Sequence, residues 1–181
     1  MVDTMTIADA LTELKRINKL LPTRYANIRR YSSKRRGTKD EVDGQAKFIK
    51  EERQSAEDLI NRYKSIKLAI NKSNLETDIE FEKDVYSVAE AILYKQQFYE
   101  MHTALINSFT ADNGNRQVNE YVRFLGGVGT MSEEDREKID LVPELLYSEK
   151  EIIRLREYYL NLYSFVDALI EKSNHATTIE V

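Results

Sequence analysis

The residues of this sequence best suited to chemistry are the cations and tyrosines that follow its first helix start. Residues 15–39 hold ten Lys or Arg and no acid, so this segment carries +10, and the remainder carries −14 within a net charge of −4. Guanidinium groups beside aromatic rings favour anions and stacked bases. The segment predicts an anion-binding surface made of Arg24, Tyr25, Arg29, Arg30, Tyr31, Lys34, Arg35 and Arg36.

Two interpretations of this basic segment stay open. Its cations either bind an anionic partner or pair with acids of the next helix, such as Glu51, Glu52, Glu57 and Asp58, or of a second subunit. Arg24 stands at a position where the apolar spacing calls for Leu or Ile, and a buried guanidinium must be paired. Its partner is then either an inward acid such as Glu52 or a ligand. A sequence pI near 5.4 opposes broad binding to nucleic acid.

Catalysis and metal binding have few candidates. The chain has no Cys and two His, and neither His102 nor His175 has a second ligand at metal-binding spacing, so we expect structural or surface roles for both. The segment Asp112–Asn115 departs from a calcium loop, because Arg116 takes a ligand position. The Gly126–Gly129 loop lacks the Lys-Ser/Thr pair and the preceding strand of a phosphate loop; a flexible connector, a lid and a partner-binding loop are its interpretations. We expect a protein that is no enzyme and has no cofactor or metal.

Two motifs occur twice in the same order. Thr6–Leu11 returns as Ser87–Ile92, and each copy places a hydroxyl three residues before an acid, which is typical of a helix start. Ile70–Glu80 returns as Ile170–Glu180 with seven of eleven residues identical, and each copy indicates a helix end followed by a strand. The chain is therefore predicted to be one domain of two repeats, about residues 6–80 and 87–180.

The elements between these motifs are predicted from apolar spacing. Each repeat is expected to form a helical hairpin, which gives an all-α, internally duplicated bundle or coiled coil of four long helices with a small β-hairpin at one end. The seam of the third helix is predicted to include Met101 and Leu105, and Pro22 is predicted to bend the first helix. All six glycines are assigned to the two connectors between helices, and further helix starts are expected at Ser132 and Ser148. Strands are expected around residues 77–81 and 85–88, with the terminal residues 177–181 as a third strand.

The composition narrows the cellular setting. The longest stretch without a charged residue, Met101–Ala111, is shorter than the roughly 20 residues that span a bilayer. No apolar core follows the acidic N-terminus, so a secretory signal is not expected. A cytoplasmic protein is predicted, with no membrane or specific nucleic acid among its partners.

The paired motifs resemble the septicolysin-like family of small bacterial and phage proteins. The resemblance rests on the Ala-acid-Ala start and the Asn-x-x-Thr-x-Ile exit of each repeat, and it spans most of the chain. It implies a long helical bundle and self-association, and the family name suggests a cytolysin. Residues 116–146 and the basic end of the first helix do not match the family pattern.

The leading interpretation is a non-enzymatic homo-oligomer that binds an anionic small molecule or acidic protein through the basic segment. The eleven tyrosines favour self-association, because aromatic faces are enriched in interfaces. One alternative is a protein that sequesters a small phosphorylated molecule, such as a nucleotide signal, in pockets between subunits. The other is a pore-forming, membrane-active protein.

Overall fold

The computed structural model describes residues 3–127 and 142–181, and within them the chain is mainly helical with two small antiparallel sheets. Helices α1 to α6 span Ile7–Tyr31, Gln45–Glu76, Val88–Leu93, Tyr99–Asn107, Asp112–Gly127 and Glu149–Ala176, and a π-helical turn, Tyr94–Phe98, joins α3 to α4. Strands β1 to β4 span Thr4–Thr6, Asp78–Phe81, Asp84–Ser87 and Thr178–Glu180. The chain divides into two compact units. We call Met1–Leu93 with Val166–Val181 the strand-bearing unit, and Tyr94–Phe165 the tyrosine-rich unit.

The helix starts predicted from hydroxyl–acid spacing are confirmed. The Asp9 amide donates to Thr6 Oγ1 at 3.1 Å, and the Glu90 amide donates to Ser87 Oγ at 3.2 Å. The Ser87 amide in turn donates to Glu90 Oε2 at 2.8 Å, which completes a capping box. The hydrogen bond from the Ser87 hydroxyl, and to a smaller extent the one from the Ser87 amide, lowers the pKa of Glu90 below its ordinary value. The start at Ser148 is also present, with the Glu151 amide 3.4 Å from Ser148 Oγ.

Helices α1 and α2 form the first predicted hairpin, and α1 runs without interruption through Pro22. One core cluster contains residues of α1 and α2 and one residue of β4: Ile7, Ala10, Leu14, Ile17, Ile66, Ile70 and Ile179. Arg62 of α2 fixes the same region from outside the core. Its guanidinium donates from Nε to Glu13 at 3.1 Å and from Nη2 to Asp3 at 2.5 Å.

The two sheets have equivalent positions in the two sequence repeats. Strand β2 pairs with β3, with Ile79 opposite Tyr86, and this is the predicted hairpin. Its turn residues Glu82 and Lys83 both have positive φ, 52° and 71°, as a two-residue turn between antiparallel strands requires. The terminal strand β4 exists, but its assignment as a third strand of this hairpin is wrong. It pairs instead with β1, with Met5 opposite Ile179, because β1 precedes α1 as β3 precedes α3.

Two backbone hydrogen bonds outside the sheets also lie at equivalent positions of the two repeats. The Val88 amide at the start of α3 donates to the Thr77 carbonyl at 2.8 Å. The Ile7 amide at the start of α1 donates to the Thr177 carbonyl at 3.0 Å. Each helix exit is thus bonded to the helix start of the other repeat.

The predicted inward seam at Met101 and Leu105 is wrong. These side chains are 61% and 52% exposed, whereas Ile106 is 4% exposed. A π-helical turn has more residues per turn than an α-helix, so it rotates the following residues around the axis. The turn at Tyr94–Phe98 moves the inward positions of α4 by one residue, to His102 and Ile106.

The assignment of Gly114, Gly126 and Gly127 to a connector is also wrong, because all three lie in α5. A Cβ on Gly114 would approach Pro143 Cβ to 2.6 Å, so the absent side chain permits close packing against that proline. The remainder of the Gly126–Gly129 loop and the helix start predicted at Ser132 lie outside the described residues.

Candidate anion-binding surface

Arg24 lies on α1 and is paired inside the α1–α2 hairpin. Its Nη1 donates to Glu52 Oε1 at 2.6 Å, and Asn27 Nδ2 donates to Glu52 Oε2 at 3.1 Å. Glu52 is 6% exposed, so both of its carboxylate oxygens depend on these partners. Of the two predicted partners for Arg24, the structure has the inward acid. This arrangement makes Arg24 a structural residue.

Arg30 and Tyr31 occupy the end of α1. The Arg30 guanidinium lies 5.0 Å from the centre of the Tyr31 ring, within cation–π distance, and its Nε is 3.9 Å from Glu41. The Tyr31 ring packs edge-on against Phe48 at 5.6 Å between centres. The Tyr31 carbonyl accepts a hydrogen bond from Gln45 Nε2 at 2.7 Å, so the helix end is tied to the start of α2.

Lys34 is also paired within the chain. Its ammonium donates to the Asp40 carboxylate, and to the Thr38 carbonyl at 3.1 Å. The Lys34 hydrogen bond, followed by one from the Gln45 amide, holds the pKa of Asp40 below its ordinary value. Lys34 therefore closes the loop between α1 and α2 and is not free for a ligand in this arrangement.

Six of the predicted residues are exposed, and two of these, Arg30 and Lys34, have a carboxylate within ion-pair distance. The other four are Tyr25, Arg29, Arg35 and Arg36, and no carboxylate of the described chain lies within ion-pair distance of the three arginines. Tyr25 and Arg29 are four residues apart on α1 and so share one face of the helix. Arg35 and Arg36 lie in a turn closed by the Thr38 amide, which donates to the Arg35 carbonyl at 3.2 Å, with Gly37 at a φ of 82°. We call these four residues the basic surface.

The residue that sequence reasoning missed at this surface is Gln45. Its side chain is buried and joins both ends of the connecting loop, since Oε1 accepts from the Glu41 amide at 3.1 Å while Nε2 donates to Tyr31. The one local signal is Gly44 before it, whose φ of 60° starts α2 in a conformation that favours glycine. Neither feature follows from residue spacing.

A cluster of aromatic side chains lies in the tyrosine-rich unit around His102. Its ring stacks on Tyr159 at 4.0 Å between centres, and its Nδ1 is 2.7 Å from the buried Tyr163 hydroxyl. Tyr99 packs edge-on against Tyr163 at 5.0 Å. His102 is thus packed and hydrogen-bonded within this cluster, while His175 is an exposed residue in the last turn of α6.

Two grooves in the strand-bearing unit occupy equivalent positions in the repeats. One, of about 590 Å³, runs between the end of α6 and β2 and includes Lys172 and Ala176. The other, of about 330 Å³, runs between the end of α2 and β4 and includes Lys72 and Glu76. Lys72 is 3.9 Å from Glu76, and the alanine at the equivalent position 176 offers no such carboxylate to Lys172. The grooves therefore share a layout and differ in charge pairing.

Two further properties concern only the described residues. Within residues 3–127 and 142–181, no three His, Asp or Glu side chains are grouped to hold a metal ion. No helix in the same ranges combines the length and the apolar character needed to cross a membrane.

Comparisons with known proteins support the fold alone. No family model matches the sequence, and no curated protein matches it. The structure is similar to the crystal structure of a functionally unknown conserved protein from Corynebacterium diphtheriae, with a TM-score of 0.60 and 16% sequence identity. The match covers 98% of this chain and 99% of that one, so the similarity extends over both units.

Proposed function

We propose that the protein is a non-enzymatic, self-associating helical interaction protein that binds an anionic partner through the basic surface. The observation that carries this proposal is that some cations of the basic segment are paired within the chain and others are not. Arg24 and Lys34 are used inside the α1–α2 hairpin, whereas Arg29, Arg35 and Arg36 point to solvent with no acid of the described chain in reach.

The chemistry of the basic surface suits an anion at any physiological pH. Arginine stays protonated throughout the physiological range, and its planar guanidinium donates two parallel hydrogen bonds to a carboxylate or phosphate. Tyr25, 45% exposed, lies on the same helix face as Arg29 and adds an aromatic surface beside the charge. A planar anionic group is the ligand that this pair of side chains fits.

The loop that carries Arg35 and Arg36 is held in place before any ligand arrives. Gln45, Asp40 and Lys34 connect it to α1 and α2 through the bonds described above. An ordered loop loses less conformational entropy when a ligand binds, so more of the contact energy is available for affinity. This supports a binding role over a merely solvated charged loop.

The test compares two double charge reversals. Arg29→Glu with Arg36→Glu removes cations from the basic surface, and Lys64→Glu with Lys67→Glu makes the same change in net charge at exposed positions of α2. Fluorescence anisotropy at low salt uses two labelled probes, a decaglutamate peptide and a nucleoside triphosphate. We expect the first variant to lose at least about tenfold in affinity for one probe and the second variant to bind like the wild type.

The probes and controls separate the alternatives. Binding of the peptide alone favours an acidic protein partner, and binding of the nucleotide alone favours the sequestering alternative. Equal loss in both variants, or no binding of either probe by the wild type, contradicts the proposal. Arg24→Gln is expected to lower the melting temperature and leave the affinity unchanged, because Arg24 is committed to Glu52.

We also propose that the fold is an internally duplicated bundle, as the sequence motifs predict. Three observations support it: the equal registers of the two sheets, the paired bonds from Thr77 and Thr177, and the equivalent grooves. A cytoplasmic setting and a relationship to the septicolysin-like family remain predictions of the sequence.

A further inference from the structure

The larger of the two equivalent grooves runs along the outer edge of β2 in the strand-bearing unit. Four consecutive residues, Thr77–Glu80, line it, together with Val85 of β3 and the last turns of α6. Successive side chains of a strand point to opposite faces, so a groove lined by all four residues follows the edge of the strand. Its volume of about 590 Å³ is within the range of ligand sites, about 300–1,000 Å³. We call it the β2 groove.

The backbone of β2 has unpaired groups at this edge. The Val88 amide donates to the Thr77 carbonyl, and bonded and non-bonded pairs alternate along an antiparallel ladder. By this alternation Ile79 is bonded to β3, whereas the amides and carbonyls of Asp78 and Glu80 face away from β3. Among the described strands, β3 alone pairs with β2. The outer edge can therefore bond to another extended chain.

The walls of the β2 groove carry opposite charges. Lys172 extends from α6 on one side, and Asp78 and Glu80 lie on the strand at the other side. All three side chains are exposed, and within the described part of the chain none has an oppositely charged group at ion-pair distance. A ligand that carries both signs of charge complements these walls.

The equivalent groove beside β4 shows what is specific to the β2 groove. Lys72 holds the position of Lys172 and lies 3.9 Å from Glu76. The equivalent of Glu76 is Ala176, which has no carboxylate to offer Lys172. The groove beside β4 is also smaller, at about 330 Å³. The β2 groove is thus the larger one, and its lysine is available to a ligand.

We infer that the β2 groove binds an extended peptide segment that pairs with the edge of β2 and carries basic side chains and a carboxylate. The peptide backbone bonds to the outward amides and carbonyls of β2, as in recognition by strand addition. Its basic side chains, at alternate positions, lie opposite Asp78 and Glu80 on one face of the strand, and its carboxylate reaches Lys172. Carboxylates on an edge strand repel an acidic strand, so they select a basic one. This site shares no residue with the basic surface and does not depend on the anion-binding role.

The experiment measures the binding of a fluorescein-labelled peptide, Lys-Val-Lys-Val-Glu, to the full chain by anisotropy. Ala176→Glu gives Lys172 the intrahelical partner that Lys72 has. Asp78→Asn with Glu80→Gln removes the charges of the opposite wall. We expect each change to weaken binding at least about threefold. The two changes alter the net charge in opposite directions, so a general electrostatic effect cannot weaken binding in both. Lys72→Ala, in the equivalent groove, is the matched control and should bind like the wild type.

A second peptide separates strand addition from simple charge attraction. Its lysine amides are N-methylated, which keeps the charges and removes the donors that would face Asp78 and Glu80, so we expect at least about tenfold weaker binding. Equal affinity for the two peptides overturns strand addition.

Three further results would place the peptide elsewhere or nowhere. No binding by the wild type up to about 1 mM peptide overturns the inference, and so does wild-type affinity in both groove variants. The variant with Arg29→Glu and Arg36→Glu is expected to keep its affinity for the peptide, and a loss there would assign the peptide to the basic surface and overturn the inference as well. Circular dichroism checks that each variant keeps its helical content.

Discussion

The strand-bearing unit and the tyrosine-rich unit use their apolar residues in opposite ways. Among the described residues, thirteen of the sixteen buried hydrophobic side chains belong to the strand-bearing unit, and the other three are Ile106, Leu162 and Tyr163. Of twenty large hydrophobic side chains that are exposed, fourteen belong to the tyrosine-rich unit. The strand-bearing unit buries more apolar side chains in its own core. The tyrosine-rich unit leaves more of its large apolar side chains exposed.

The two units also differ in how their helices are held. In the strand-bearing unit, hydroxyl side chains cap the starts of α1 and α3, with a full capping box at α3. The helix exits at Thr77 and Thr177 are each bonded to the helix start of the other repeat. In the tyrosine-rich unit, aromatic stacking around His102 and one hydrogen bond to Tyr163 connect α4 with α6. Stability is therefore expected to be concentrated in the strand-bearing unit, and the following changes test that division.

The largest effect is expected from the core of the strand-bearing unit. Ile66→Ala removes a fully buried side chain and should lower the free energy of unfolding by about 2–5 kcal/mol, because it leaves a cavity among α1, α2 and β4. Leu68→Ala, at a 59% exposed position of the same helix, should cost about 0.5 kcal/mol or less. Urea unfolding followed by circular dichroism measures both. Similar losses for the two variants would remove the distinction between core and surface on α2.

A smaller effect is expected in the tyrosine-rich unit. Tyr163→Phe keeps the ring and deletes the hydroxyl that contacts His102, so a loss of about 1 kcal/mol is expected. Tyr121→Phe, at a 47% exposed position, removes a hydroxyl from the surface of the same unit and should leave stability unchanged. Hydrogen exchange resolved by peptide should show faster exchange in α4 and α6 for the first variant alone. An equal loss of protection in α1 and α2 would mean that the units do not open separately.

The smallest effect is expected at low pH. The pKa of Glu90 is lowered by its bonds to Ser87, so its contribution to folding is fully present above the ordinary value of 4.5 and is lost as the pH falls below it. Glu90→Gln should therefore lose less stability than the wild type as the pH falls from about 5 through the ordinary value of 4.5 and below it. Melting temperatures across this range measure the difference. Glu100→Gln, which removes an exposed carboxylate from the tyrosine-rich unit, is the matched control, and an identical acid response of both variants would contradict the assignment.

The sequence predicted those parts of the fold that local chemistry determines. Hydroxyl–acid spacing located the starts of α1, α3 and α6, because the capping residues lie within three positions of one another. Apolar spacing was sufficient for the buried face in the first half of α1, at Ile7, Ala10, Leu14 and Ile17. The Arg24–Glu52 pair was among the predicted alternatives, because a guanidinium at a seam position requires an inward partner.

The predictions that failed concern features that depend on a change of helical period or on contact partners distant in the sequence. The turn at Tyr94–Phe98 contains no Pro or Gly that would indicate a π-helix. The sequence therefore did not show that the buried position moves from Leu105 to Ile106. Gly114 was taken for a connector because glycine disfavours helices, whereas its role is to let Pro143 approach α5. At the basic surface, the Lys34–Asp40 pair follows from the course of a loop and not from any helical spacing.

The pairing of β1 with β4 has a consequence for how the chain folds. Strands β2 and β3 are joined by two residues, and a hairpin of that kind forms within microseconds. The equivalent pair β1 and β4 meets only when more than 170 intervening residues have been gathered, which by loop-closure scaling costs about 4 kcal/mol more in chain entropy. The two sheets have the same register, but β2 and β3 are neighbours in the sequence whereas β1 and β4 lie at its two ends. We therefore expect the β2–β3 hairpin to form before Asp3 pairs with Val181.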